Sequence, residues 1–295
     1  MVNEIKKEIE PSINTVIYKN KKKVITKILC KCFIYLMLLL MYAPILYLMV
    51  FSLTDSNVIG SWTGFSFESY IRLFASNNVK SQEIWQAVGN TILVAFCSAL
   101  ISTILGIMGA IGMFYSRKRI RNTLDFITQI PVVNAEIVIA LSLTILFVFC
   151  NFEFSFFTLL IGHIVLSLPF VVLSIQPKLK QMDPNLYEAA LDLGATQREA
   201  LFKVVIPEIF PGIVSGFMLS ITLSLDDFII TAFTKPSTGF DTISTYVEAA
   251  TKKTGLPIQL RALTTLIFVG VLIVMIIYNF KVNKTSKASI KGGSI

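Results

Sequence analysis

MDPNLYEAALDLGATQREALFKVVIP, residues 182–207, is a polar stretch between two strongly apolar runs, and its punctuation decides how the rest of the chain is read. Asp183 can cap a helix, and Pro184 suits a first turn, where no backbone donor is missed. Gly194 is the expected left-handed stop for that helix. Thr196 with Glu199 three residues later forms a capping box for a second helix. Pro207 is expected to end it, because the residue ahead of a proline is pushed out of helical geometry. Leu186, Ala189, Ala190 and Leu193 share one face of the first helix. A helix–glycine–helix with a small apolar face, folded into a loop between apolar segments, reads as a platform for a soluble partner.

The flanking sequence is that of a membrane protein. Hydrophobic residues make up 54% of the 295 and charged residues only 15%, a balance that excludes an ordinary soluble domain. A bilayer core needs about 20 apolar residues per helix. Six runs reach that length, at 28–53, 87–115, 125–149, 154–175, 209–233 and 262–280. Only the short Cys150–Glu153 segment separates the third from the fourth, so the two form a tight helical hairpin. With the N-terminus inside, 20 of the 26 Lys and Arg fall on the inner side. That positive-inside bias places both termini and the 182–207 loop in the cytoplasm. The expected fold is an all-α membrane protein with six transmembrane helices over 28–280, a basic tail at 1–27 and a second tail at 281–295. The +8 charge is explained by this orientation and by the anionic inner leaflet, not by nucleic acid. The first run lacks a small-residue cleavage site, so a retained span is expected in place of a signal peptide. Gly212 with Gly216, and Gly106 with Ala110, are small-xxx-small pairs that draw helices together, within a chain or between chains.

Catalytic and nucleotide motifs are missing. There is no G-x-x-x-x-G-K-[ST] phosphate loop, no HExxH and no GxSxG, and Cys30, Cys32, Cys97 and Cys150 match no common metal spacing. No enzyme is expected, and no cofactor in this chain. The single histidine, His163, lies in the fourth run, where a hydrogen bond to a neighbouring helix is the expected role. The informative polar residues are acidic: Asp226 and Asp227 in SLDDFIITAF, and Glu136 in PVVNAEIVIALSL. A carboxylate in hydrocarbon costs on the order of 3 kcal/mol, so each must face protein or a water-filled path. Consecutive helical residues point about 100° apart, so the two aspartates have different targets, one a pathway and the other a neighbouring helix. The structural alternative is an internal polar network or a helix-end cap. A negative lining favours a cationic solute, and Phe228 and Phe233 can add cation–π contacts.

The loop resembles the EAA signature of permease subunits of binding-protein-dependent ABC importers: E-A-A, three residues, G, nine residues, I-x-L-P. Here it reads Glu188-Ala189-Ala190, Gly194, then Val204-Val205-Ile206-Pro207. The resemblance covers about Phe33 to Phe280 and implies a type I importer permease. It implies that Glu188, Ala189, Ala190, Gly194 and Pro207 belong to a coupling helix docked in a cleft of an ATPase subunit that binds the ATP and Mg. FSLTDS, EIVIALSL and SLDDFIITAF are similar, more narrowly, to the second, C-type permease of spermidine/putrescine importers. Members of that group carry an acidic residue where Glu136 stands, usually aspartate after proline; glutamate after alanine is a departure. The resemblance implies a bacterial cell-membrane heterodimer with a second permease. Its further partners would be two ATPase copies and an extracytoplasmic polyamine-binding protein, with Glu136, Asp226 and Asp227 on the substrate pathway. Three other readings fit less of the chain: an importer of the same class for thiamine, iron or another cation, a proton-coupled secondary transporter, and a scaffold that transports nothing. The acids argue against sulfate or molybdate.

Overall fold

The computed structural model describes residues 2–56, 61–75, 78–183, 185–237, 239–254 and 257–292, and among them every regular element is helical. The chain divides into two units, Met1–Ala75 with Pro257–Ile295, and Ser76–Leu256.

In the first unit the long α1 (Val2–Phe51) and the short α2 (Glu68–Phe74) both pack on α12 (Ile258–Gly292). Both expected tails continue as helix, from Val2 at one end and to Gly292 at the other. From Ile28 to Val50 nearly every large apolar side chain of α1 is exposed, the composition of a surface made for lipid. Arg261, in the first turns of α12, is fully buried and donates from an Nη to the Ser56 carbonyl at 2.9 Å. Ser52 and Tyr70 share a hydrogen bond at 2.8 Å. This bond from a buried arginine to a loop carbonyl ties the polar segment after α1 to α12.

The second unit is built on α3 (Val79–Phe114), α6 (Phe156–Gln181) and α9 (Ile206–Asp226). Their contact is set by small residues facing Val171 from both sides. A Cβ on Gly106 would lie 2.6 Å from Val171 Cγ1, and one on Gly216 3.2 Å from the same atom. One on Gly212 would lie 2.9 Å from Lys178 Cγ and 3.1 Å from the Ser174 carbonyl. Both small-xxx-small pairs therefore serve packing within the chain. In lipid there is no hydrophobic force between helices, so close backbone approach and interhelical hydrogen bonds hold them. Ser98 and Ser102 of α3 meet Ser224 and Ser220 of α9 at 3.2 and 2.9 Å.

Five described helical stretches are long and apolar enough to cross a membrane, and the count is six where one bent pair of helices is taken as a single span. Two of the expected spans are interrupted. The third is not a straight helix: α4 (Lys118–Val133) and α5 (Glu136–Phe149) meet at 104°. Pro131 strips a donor from the last turn of α4, and Asn134 and Ala135 are then extended. The fifth also breaks. α9 stops at Asp226, Asp227 is extended, and α10 (Ile229–Thr234) follows. The hairpin between α5 and α6 turns through Asn151 at φ +54°. A further helix, α11 (Ile243–Thr254), packs on α3. There Ile243 N–H donates to Thr91 Oγ1 at 2.9 Å and Tyr246 OH to Glu83 at 3.2 Å.

Candidate functional site

The 182–207 loop folds from its local signals. Asp183 Oδ1 accepts from Asn185 N–H at 2.9 Å, opening α7 (Asn185–Asp192); Pro184 lies outside the described residues. Gly194 takes φ +87°. Around it Gly194 N–H reaches the Leu191 carbonyl and Ala195 N–H the Ala190 carbonyl, at 2.9 and 3.1 Å. That pair of bonds is the Schellman termination, and only glycine enters it without strain. The capping box forms: Glu199 N–H donates to Thr196 Oγ1 at 3.3 Å, and Thr196 N–H to Glu199 Oε2 at 3.1 Å. It starts α8 (Gln197–Ala200).

Pro207 does not end that helix. The chain stays helical from Gln197 to Asp226, passing through one π-helical turn at Leu201–Val205. Ile206 N–H bonds the Leu201 carbonyl, five residues back. The inserted residue opens the turn behind Pro207, whose ring would otherwise strike the carbonyl one turn earlier and whose missing donor would break the ladder. The sequence rule failed here because an extra residue, not a helix stop, absorbs the proline. As a result α8 and α9 form one continuous helical element, to which α7 is joined through the Gly194 turn.

The apolar face of α7 is uncovered. Leu193 is 89% exposed, and Leu186, Glu188 and Ala189 are exposed as well. Tyr187 turns inward, ring to ring with Tyr115 at 5.2 Å and against the core of Val171, Ile175, Leu179 and Ile209. One side of α7 anchors the loop on its own unit, and the other presents leucine and alanine beside Glu188.

The three acidic residues lie toward the other end of α9, about 31 Å away for a helix of 21 residues. There the two helix breaks lie together: α5 packs on α6 and α10 through Ile139, Ala140, Leu166 and Ile230. Glu136 stands in the first turn of α5, within electrostatic reach of Asp227 and Asp226. The two aspartates differ completely. Asp227 is buried, and its carboxylate accepts from Ile230 N–H at 3.1 Å and from Thr231 N–H and Thr231 Oγ1–H, both at 2.9 Å. It acts as a cap one residue ahead of the N-cap position Phe228. Its own carbonyl takes a bond from Ser244 Oγ at 2.9 Å. Asp226 and Glu136 are exposed, and among the described residues neither has a hydrogen bond or a cationic partner. An acid at the last residue of a helix faces the negative end of the helix dipole, so Asp226 lacks the local compensation that Asp227 enjoys. Phe228 and Phe233 are each 37% exposed.

His163, expected from the sequence to bond a neighbouring helix, is a member of this junction. It is 1% exposed, with Nδ1 2.8 Å from Ser224 Oγ and Nε2 3.0 Å from Thr231 Oγ1. The far end of α10 is also held by side chains: Thr144 and Thr158 donate to the Phe233 and Thr234 carbonyls at 3.2 and 2.9 Å. Thr144, Thr158, Ser224 and Thr231 carry no sequence signal of their own, since hydroxyl residues are common in membrane helices.

Residues 102–286 match the family model described as binding-protein-dependent transport system inner membrane component. The chain is 31% identical over 237 residues to the spermidine/putrescine transport system permease protein PotC of Haemophilus influenzae, covering 80% of this chain and 90% of that one. It is 31% identical over 258 residues to the putrescine transport system permease protein PotI of Escherichia coli, covering 85% and 89%. Among solved structures it resembles a chain of a bacterial ABC transporter involved in the import of the acidic polysaccharide alginate. The TM-score is 0.60 at 18% identity, with 88% of this chain and 96% of that one covered, a likeness of fold.

Proposed function

The chain belongs to the family of binding-protein-dependent transport system inner membrane components, and on that footing we propose that it is the permease subunit of an ATP-driven importer of polyamines. The observation that carries the solute class is the junction of two broken helices. Glu136 and Asp226 present carboxylates there with no cation among the described residues beside them. Irregular backbone at membrane depth is tolerated where it lines a cavity, and the carbonyl end of a half-helix favours a cation. A di- or polyammonium solute supplies the missing charge. The names of the PotC and PotI relatives point to the same solutes.

In this reading Asp226 and Glu136 line the pathway, while Asp227 shapes the break that exposes them. Glu188, Ala189, Ala190 and Gly194, with the bare Leu193, form the face that docks on an ATPase subunit. Pro207 sits in the helical turn that carries its motion into α9. The positive-inside bias puts this face and both termini in the cytoplasm. A second permease of the same family completes the pathway, two ATPase copies supply ATP hydrolysis with Mg, and a binding protein delivers the solute from outside. The ATPase-facing loop and the solute-facing acids then lie toward opposite ends of the α8–α9 helix, with α7 joined to it through the Gly194 turn.

The test is reconstitution of this chain in proteoliposomes with a second permease, the ATPase and the polyamine-binding protein from the same cell. Spermidine or putrescine should stimulate ATP hydrolysis and be taken up. Stimulation by thiamine or ferric iron in place of polyamines would overturn the solute, and uptake driven by a proton gradient without ATP would overturn the class.

A further inference from the structure

His163 is the chain's one histidine, and it stands on α6 with one ring nitrogen toward each helix flanking the break. The proton directions follow from Asp227. Its carboxylate is acceptor-only, so the Thr231 hydroxyl 2.9 Å away donates to it. The Thr231 oxygen then offers only lone pairs to His163, so Nε2 carries a hydrogen and donates at 3.0 Å. In the neutral ring Nδ1 is bare and accepts from Ser224 Oγ–H at 2.8 Å. The Ser224 oxygen in turn accepts from Ser98 Oγ–H at 3.2 Å. The result is one polarised row, from Ser98 on α3 through Ser224 on α9 and His163 on α6 to Thr231 on α10 and Asp227. Each hydroxyl and ring nitrogen in it is used. A side chain kept only to fill space here would not need two polar atoms in opposite directions.

We propose that His163 is a positioning residue. In its neutral Nε2–H form it clamps α9 to α10 across Asp227–Phe228 and so sets the direction in which Asp226, the last residue of α9, presents its carboxylate beside Glu136. The proposal rests on the polyamine importer reading for its function, but not for its geometry.

Two measurements test it. A single histidine means that ring-¹⁵N-histidine in the full-length chain, purified on a histidine-free tag into lipid bilayers, gives one pair of ring signals. One pyrrole-type nitrogen, assigned to Nε2, and one pyridine-type nitrogen are expected; an imidazolium or an Nδ1–H ring overturns the clamp. The second measurement is spermidine uptake by the reconstituted importer across a concentration series. His163→Leu should raise KM about tenfold, the size of one lost hydrogen bond to a charged network, with the rate at saturation kept. His163→Gln, which reaches the Nε2 position and still donates to Thr231, should restore most of the wild-type KM. A wild-type KM in His163→Leu overturns the proposal. If that variant fails to assemble, His163→Asn decides: it reaches only the Nδ1 position, and a KM equal to that of His163→Gln overturns the proposal too. Should the wild type show no polyamine dependence, the importer reading falls, while the nitrogen spectrum still decides the clamp.

Discussion

Asp227→Asn and Asp226→Asn change adjacent residues in the same way and should fail in different assays. At 227 the carboxylate accepts three bonds in a buried site, one on Oδ1 and two on Oδ2. Asparagine keeps a single oxygen. Turned toward Thr231 it preserves both bonds there and sets its own N–H₂ against the Ile230 N–H; turned the other way it loses both. Even the better orientation leaves one buried donor unsatisfied and faces donor to donor, a cost of about 1–3 kcal/mol. At 226 the carboxylate is exposed and unbonded. Asparagine there should cost less than about 0.5 kcal/mol in stability, yet it removes a full charge from the surroundings of the cation. A loss of about 1.4 kcal/mol in solute binding is tenfold in KM. The assay pairs thermal melting of the purified importer in detergent with spermidine uptake in proteoliposomes across a concentration series. Asp227→Asn should lower the melting temperature, and Asp226→Asn should melt like wild type and raise KM about tenfold. The reverse pattern, with 227 changing KM alone and 226 changing nothing, would refute the division between cap and pathway.

Gly106→Ala places a Cβ 2.6 Å from Val171 Cγ1 and should destabilise the unit by roughly 1–3 kcal/mol. Val171→Ala on the same chain should recover part of that loss, and a strictly additive double-mutant cycle in melting would contradict the packing. Leu193→Asp alters a side chain that is 89% exposed; melting of the permease should hold while affinity for the purified ATPase falls, and an unchanged affinity removes this face from the interface. Thr196→Ala deletes the cap and should cost about 1 kcal/mol, seen as faster amide exchange at Glu199 with the α9 amides unaffected. Gly194→Ala meets no atom within 4 Å but is held at φ +87°, so a cost of about 1–2 kcal/mol from backbone strain alone is expected.

The 182–207 loop was almost fully legible in the sequence because its determinants are local. Asp183, Gly194 and the Thr196–Glu199 box each act on backbone groups within a few residues, and each made the bond its type and spacing implied. Pro207 was misread for the opposite reason. Whether a proline stops a helix or is absorbed by a wider turn depends on what holds the helix beyond it, and here Val205 and Ile209 are locked into the core on either side. The break at Asp227 was legible only as an alternative, the helix-end cap, since neither glycine nor proline marks it.

By itself the sequence determined the class of the molecule. Apolar runs of bilayer length demand helices, and the caps and glycine of residues 182–207 set a helix–turn–helix wherever that loop is placed. Only the tertiary structure decided which acid does what. Asp226 and Asp227 are chemically identical and adjacent, and the sequence could say only that their targets differ. Ile230 and Thr231 fill the Asp227 carboxylate from the turn that follows it, and packing α6 against α9 and α10 sets His163 on Thr231, while no described donor reaches Asp226. A carboxylate surrounded by donors becomes structure, whereas one left bare at the negative end of a helix remains available to a cation.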